Sequence, residues 1–347
     1  MKTMKLGQTN LAVPVFAIGV MHINRLDGAQ AEAFVQTCLE NGCNFFDNAD
    51  VYGSDKAQFG RCEEIFSKAV HMSPSVREKI IVQDKIGFEP PRPGECRSER
   101  LNSSKAYILQ AVDNSLKRLN TDYLDVLLLH APDALTDPAE VAEAFDALHT
   151  NGKVRHFGVS NYNTFQIQLL QKYLKQPIVA DQLCLSIANS GLISEGMYVN
   201  IASTERSIER STSILNYCRL NDITVQCWSP LQYGDQEGTF LGHPAFPELN
   251  ATLDKIAAAH RVPSSAIAIA WLLRHPACMM VISGTMNIQH LKDNLQGVDI
   301  LLSRQEWHDM HLRASDNTQY DIDELPNVRL FFCESPTPEI ESTVLGM

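Results

Sequence analysis

No apolar stretch among the 347 residues approaches the roughly 20 that a membrane-spanning helix needs, so a helical membrane anchor is not expected. Basic residues are the scarce charge: 29 Lys and Arg stand against 41 Asp and Glu, for a net charge of −12. That balance disfavours nucleic acid and anionic membrane surfaces as partners, although a local basic pocket for a phosphate remains compatible with it. Paired cysteines are missing too. Nine are scattered singly at 38, 43, 62, 96, 184, 218, 227, 278 and 333, and none forms a CxxC or a Cys/His pair at zinc-ligand spacing. A bound structural metal is therefore not expected, and a reduced cytoplasmic setting is. Residues 1–7 run into polar sequence without the apolar core of a signal peptide. Low-complexity segments and internal repeats beyond an alternation of strands and helices are also lacking.

What the chain does contain is that alternation. Apolar runs at 16–19, 44–47, 80–85, 125–130, 156–160, 178–182, 224–228 and 279–283 read as strands. Between them, residues 30–41, 105–119, 139–151, 164–174, 211–221, 247–261 and 264–274 repeat apolar residues at steps of three and four, the period of a helix packed on one face. Alternating strands and helices imply a parallel sheet, and eight strands suffice to close it into a (β/α)8 TIM barrel with a packed interior. The competing doubly wound sheet has no support, because no GxGxxG follows the first strand. Residues 1–314 are thus expected to form the barrel, and 315–347 a C-terminal extension packed on it. That tail carries Pro326, Pro336 and Pro338 and an apolar cluster at Val328, Leu330, Phe331 and Phe332. Two long segments, 87–104 and 183–208, follow the third and sixth strands and fall on the face where barrel loops carry function.

Four ionisable residues sit at or just past strand ends: Asp47, Tyr52, Lys85 and His130. Each has a bland explanation taken singly. Tyr52 fits a surface turn, Lys85 a solvated charge, His130 a hydrogen-bonded core histidine and Asp47 a helix cap. Four such explanations at corresponding strand ends account for the pattern less well than one site, since barrels build active sites from the C-terminal ends of several strands. The chemistry is coherent as well. A Tyr has an ordinary pKa of about 10, and a Lys ammonium beside it favours the phenolate, bringing the group toward useful acid/base work. Asp47 would supply the counter-charge that a buried Lys85 needs, and His130 would hydrogen-bond a carbonyl oxygen.

These residues lie in motifs that resemble the aldo-keto reductase family over roughly residues 5–312. Phe46-Asp47-Asn48-Ala49-Asp50-Val51-Tyr52-Gly53 is similar to the family's FDxAxxYG signature, and Gly158-Val159-Ser160-Asn161-Tyr162 to its GVSN segment. The resemblance implies reduction of an aldehyde or ketone by hydride transfer, with Tyr52 as general acid and NADP(H), or else NAD(H), as cofactor. It assigns the nicotinamide carboxamide to Ser160, Asn161 and Gln182, ring stacking to Trp228, and the pyrophosphate to Ser229, Pro230 and Leu231. Val20 and Met21 join the cofactor set at the end of the first strand. Ser283, Gly284, Thr285, Asn287, His290, Asp293 and Asn294 match the stretch that holds the adenosine end. Two positions depart from the pattern: many members carry Lys where Gly284 stands and Arg where His290 stands.

Two other readings belong beside the reductase. Lys85 would be a Schiff-base nucleophile in an aldolase-type barrel, and a cofactor-binding sensor or regulatory protein would keep the same fold with incidental turnover. The small-molecule carbonyl substrate is not specified by any loop signature. His22, Trp228 and the tail aromatics Phe331 and Phe332 are candidates for its apolar walls, and the oligomeric state is left open.

Overall fold

A computed structural model describes residues 1–53, 59–90, 92, 100–199, 201, 205–234 and 238–315. The expected C-terminal extension, with Phe331 and Phe332, lies outside the described residues from 316 onward. An antiparallel hairpin of β1 (Thr3–Lys5) and β2 (Ala12–Pro14) precedes the main sheet. Eight parallel strands then close in the order β10-β3-β4-β5-β6-β7-β8-β9. They are β3 (Phe16–Gly19), β4 (Phe45–Asp47), β5 (Ile81–Ile86), β6 (Leu124–Leu129), β7 (Val154–Ser160), β8 (Ile178–Cys184), β9 (Thr224–Trp228) and β10 (Met280–Ser283). The expected (β/α)8 barrel is the fold observed.

Helices connect the strands on the outside. They are α1 (Gly28–Glu40), α2 (Arg61–Ala69), α3 (Pro74–Arg77), α4 (Lys105–Leu119), α5 (Pro138–Thr150), α6 (Thr164–Gln171), α7 (Gly191–Ser194), α8 (Ile214–Leu220), α9 (Pro247–His260), α10 (Ser264–Arg274), α11 (Ile288–Leu295) and α12 (Arg304–Ser315) among the described residues. Local chemistry sets several of their starts. Asp27 and Gln30 form a reciprocal capping box at α1, as do Asn163 and Gln166 at α6. The helix expected at 211–221 begins three residues late, because Thr212 and Ser213 take left-handed φ values of 58° and 55°. No single described helix is long and apolar enough to cross a membrane.

Side chains alternate along each strand, so one set points into the barrel and the other toward the helices. The inner set is layered. The apolar part of it, Ala17, Phe45, Ile81, Val126, Leu128, Ala180, Met280 and Ile282, packs with Leu6 and Val13 from the hairpin at the bottom, Leu128 and Ile282 reaching highest. Two residues further along β4, β5, β8 and β9 the inner positions become Asp47, Gln83, Gln182 and Gln226, all buried. Another step along β5 reaches Lys85. Gly158 keeps β7 close to its neighbours: a Cβ there would stand 2.6 Å from both the Ala180 carbonyl and the Leu128 side chain.

Candidate active site

The interior polarity rises toward the C-terminal ends of the strands, and the four residues singled out from sequence meet there. Lys85 Nζ donates to Asp47 Oδ2 at 2.6 Å and to the Asn48 carbonyl at 3.1 Å. The same ammonium lies 4.9 Å from the centroid of the Tyr52 ring. His130 stands edge-on to that ring with centroids 6.0 Å apart. Lys85 and Asp47 are each only 1% exposed, whereas Tyr52 and His130 keep part of their surface open at the barrel mouth. The loop carrying Tyr52 is tied down through its backbone. Asn48 N donates to Gln83 O at 2.9 Å, Asp50 N to Lys85 O at 3.0 Å, and Cys62 N to Tyr52 O at 3.3 Å.

Electrostatics follow from that enclosure. Burial dominates at Tyr52 and pushes its phenol up to about 12, even though the neighbouring Lys85 pulls it down. The expected lowering by Lys85 is present but outweighed, because an enclosed phenolate loses more hydration than one cation restores. Burial alone would lower Lys85, yet the ion pair with Asp47 and the contact with Tyr52 prevail and raise it. A raised, pinned ammonium is the opposite of what a Schiff-base nucleophile requires. Burial, helped by Lys85, holds His130 well below the usual histidine range, so the imidazole is neutral. A neutral ring donates from one nitrogen only.

The residues proposed for the nicotinamide end also gather at this mouth. Ser160 Oγ donates to the Gln182 carbonyl at 2.9 Å, and Asn161 Nδ2 to Ser160 Oγ at 3.1 Å and to the His130 carbonyl at 3.3 Å. Asn161 has a φ of 63°, which turns its side chain toward Trp228, whose Nε1 donates to Asn161 Oδ1 at 3.2 Å. Gln182 spends its Nε2 hydrogens on Asp47 Oδ1 at 3.1 Å and Gln226 Oε1 at 3.0 Å. Its Oε1 receives no hydrogen bond from the described residues, which fits an amide donor such as a nicotinamide carboxamide. Val20 is buried and donates its N–H to the Asp47 carbonyl at 3.0 Å, while Met21 is exposed. Beyond Trp228, Ser229 has a φ of 53° and donates through its hydroxyl to Gln232; Pro230 is buried and Leu231 half-buried.

The segment after β10 is more open. Ser283 is buried, Thr285 is half-buried, and Gly284 is exposed with nothing within 4 Å of an added Cβ. Asn287 caps α11, its Oδ1 accepting from Gln289 N at 2.8 Å and His290 N at 3.1 Å. Two amides at the start of α11 are therefore occupied by the chain itself. His290 is exposed, Asp293 accepts from Gln289 Nε2 at 2.9 Å, and Asn294 is buried.

Sequence reasoning missed three contributors. Phe88, in the loop after β5, packs edge-on against His130 with centroids 5.0 Å apart. The described part of that loop pairs back on itself, with Glu89 N on Arg100 O at 2.9 Å and Asn102 N on Gly87 O at 2.8 Å. Gln83 and Gln226 were missed as well. Amides within the strands were the available signal, at Gln83 two residues before Lys85 and at Gln226 two before Trp228.

Comparison with known proteins agrees with this geometry. The profile of the Aldo/keto reductase family matches residues 15–311. An uncharacterized oxidoreductase of Bacillus subtilis, YcsN, is 34% identical over 83% of this chain and 90% of its own length. A 6-dehydroglucose reductase of Agrobacterium fabrum is 30% identical over 82% of this chain and 88% of its own. In fold, the chain is similar to an aldo-keto reductase from Klebsiella pneumoniae crystallised in complex with NADPH, with a TM-score of 0.69 at 24% identity over 89% of this chain and 93% of that one. With the family profile spanning most of its length, the chain belongs to the aldo/keto reductase family and is a nicotinamide-dependent oxidoreductase.

Proposed function

We propose that the protein reduces an aldehyde or ketone to an alcohol with NADPH, Tyr52 giving the proton, and runs the reverse with NADP+. The observation that carries this reading is the packing of Tyr52 against the Lys85–Asp47 pair at a mouth shared with a neutral His130. The cofactor, when bound, supplies the hydride that adds to the carbonyl carbon. His130 donates a hydrogen bond to the carbonyl oxygen and fixes its position. Tyr52 then transfers its phenolic proton to that oxygen, and the Lys85 ammonium stabilises the phenolate left behind. Asp47 keeps Lys85 in place. Ser160, Asn161 and Gln182 hold the carboxamide, Trp228 covers one ring face, and Val20 and Met21 flank it. Ser229, Pro230 and Leu231 line the pyrophosphate, and the stretch from Ser283 to Asn294 receives the adenosine 2′-phosphate, with Thr285, Asn287, His290 and Lys292 nearest to it.

The test is Tyr52→Phe. Turnover should fall by about 10²–10⁴-fold, the usual worth of general acid catalysis, while NADPH binding followed by fluorescence stays nearly unchanged. Undiminished turnover overturns the assignment. The carbonyl panel should include oxidised sugars, because one relative bears the name 6-dehydroglucose reductase. Tight NADPH binding without turnover across the panel would favour a sensor or regulatory protein instead.

A further inference from the structure

The floor of the site is a hydrogen-bonded layer of amides that transfer no proton themselves. Gln83 and Gln226 face one another and exchange both bonds, Gln83 Nε2 to Gln226 Oε1 and Gln226 Nε2 to Gln83 Oε1, each at 2.8 Å. Gln83 Nε2 also donates to Asp47 Oδ1 at 2.7 Å, and Gln182 Nε2 reaches both Asp47 Oδ1 and Gln226 Oε1. Both Gln83 and Gln226 are 0% exposed. The layer below them is apolar (Phe45, Ile81, Val126, Met280), so nothing there could replace these partners.

Donor and acceptor roles leave one arrangement. A carboxylate only accepts, so Gln83 and Gln182 must each present NH2 to Asp47. Gln226 must then present its oxygen to both, since its NH2 would otherwise face two other NH2 groups. That orientation leaves its own NH2 for Gln83 Oε1. Gln182, held by Asp47 and Gln226, has only its Oε1 to offer upward. Buried amides are costly unless satisfied, and this set is connected from one side of the barrel to the other.

We propose that Gln83 and Gln226 are positioning residues: they hold the Asp47 carboxylate under Lys85 and lock Gln182 with its oxygen toward the nicotinamide carboxamide. One floor thereby serves both the proton relay and the cofactor seat. The inference rests on the Tyr52–Lys85–Asp47 reading above, and its test separates the two.

Gln83→Leu keeps the volume and removes a donor to Asp47. The kcat should fall roughly 10–100-fold, the worth of one hydrogen bond to a charged group, with substrate KM little changed. Gln226→Leu should weaken NADPH binding as well, because Gln182 loses an anchor. Gln226→Glu is the diagnostic variant. A protonated carboxyl has one O–H for Gln83 Oε1 and a carbonyl oxygen for the two Nε2 groups, so it reproduces the native pattern. Once ionised it has no donor and sets a second anion beside Asp47, whose own cation is Lys85; the inner side chains of β6 and β10 are the apolar Val126, Leu128, Met280 and Ile282, and β7 brings His156 in register with Val126. Burial and Asp47 place this ionisation above the ordinary Glu value of about 4.3. The kcat of Gln226→Glu should therefore be near wild type at low pH and fall through a new alkaline limb that the wild type lacks. A wild-type pH profile in Gln226→Glu, or wild-type kcat in a folded Gln83→Leu, overturns the inference when Tyr52→Phe is inactive. If Tyr52→Phe turns over normally, the underlying reading fails instead. Should the Leu variants not fold, the Gln226→Glu profile alone decides.

Discussion

Tyr52 shows how far enclosure alters a residue whose type was evident from sequence. Its phenol lies near 12, so it stays protonated throughout the neutral range, as the general acid proposed above must be. Oxidation needs the phenolate, whose fraction rises tenfold per pH unit below that value. Alcohol oxidation should therefore climb steadily with pH toward about 12, while carbonyl reduction stays flat across neutrality. Initial rates in both directions over a pH series check this; a reduction limb that falls near neutral pH contradicts it. At the proposed adenosine end, His290 and Gly284 stand where the resemblance leads one to expect Arg and Lys. Asn287 already occupies the amides of Gln289 and His290, so under the proposed reading the side chain of His290 carries more of the phosphate contact. His290→Arg should tighten NADPH by about tenfold and NADH hardly at all, since a guanidinium grips phosphate with two donors. Fluorescence titration with both dinucleotides reads the difference, and equal responses would remove His290 from the phosphate site.

Among the elements, α2 and α4 enclose a feature no strand pattern disclosed. Asp50, Glu63 and Asp84 are all buried, and one guanidinium, Arg118, serves them, donating to Glu63 at 2.7 Å and to Ser115 Oγ at 3.1 Å. Burial first, then repulsion from Asp84, raises Glu63 to about 8, and burial raises Asp84 to about 6 despite Ser115 and Arg118. Asp50 is raised as well, chiefly by burial and then by Asp84 and Glu63, and Tyr107 of α4 also faces it. A carboxyl with a raised folded-state pKa contributes stability that is fully present below its unfolded value and is lost as pH rises through the folded one. Thermal stability should thus decline as pH rises from the ordinary Glu value toward about 8. Glu63→Gln should flatten that decline, an effect of order a few kcal/mol at most. Melting curves over that window test it, and an unchanged slope in the variant rules Glu63 out. The strands and most helices were legible because their periods are strong. The hairpin strands β1 and β2 and the helices α2, α3, α7 and α12 were not: the hairpin strands and the four-residue α3 and α7 are too short to show a period, and α2 follows the motif loop without an apolar approach.

The barrel closes through the pairing of β10 with β3, and the last described helix, α12, packs on α10 outside it. Trp271 of α10 and Trp307 of α12 stack with centroids 4.8 Å apart and exchange hydrogen bonds, each indole N–H donating to the other residue's carbonyl, at 3.1 Å and 3.0 Å. His311 stacks on both rings, and burial there pushes it down to about 4. Trp307→Ala should cost about 3–5 kcal/mol, as large aromatic truncations do, measurable as a lower midpoint in urea, and leave kcat of the folded protein unchanged. A midpoint equal to wild type would show α12 to be dispensable.

Periodicity and strand-end chemistry were enough to determine the alternation, the barrel and the meeting of Asp47, Tyr52, Lys85 and His130, because these depend on order along the chain. Other properties exist only once the barrel closes. Gln83 and Asp84 are adjacent polar residues on one strand, yet closure turns one into the hydrogen-bonded floor and the other into the acidic layer beneath α4. Gln226 lies 143 positions from Gln83, and no local pattern relates them. Closure also sets the net charge states, since Lys85 and burial pull Tyr52 in opposite directions and only the tertiary structure says how deeply the ring is enclosed.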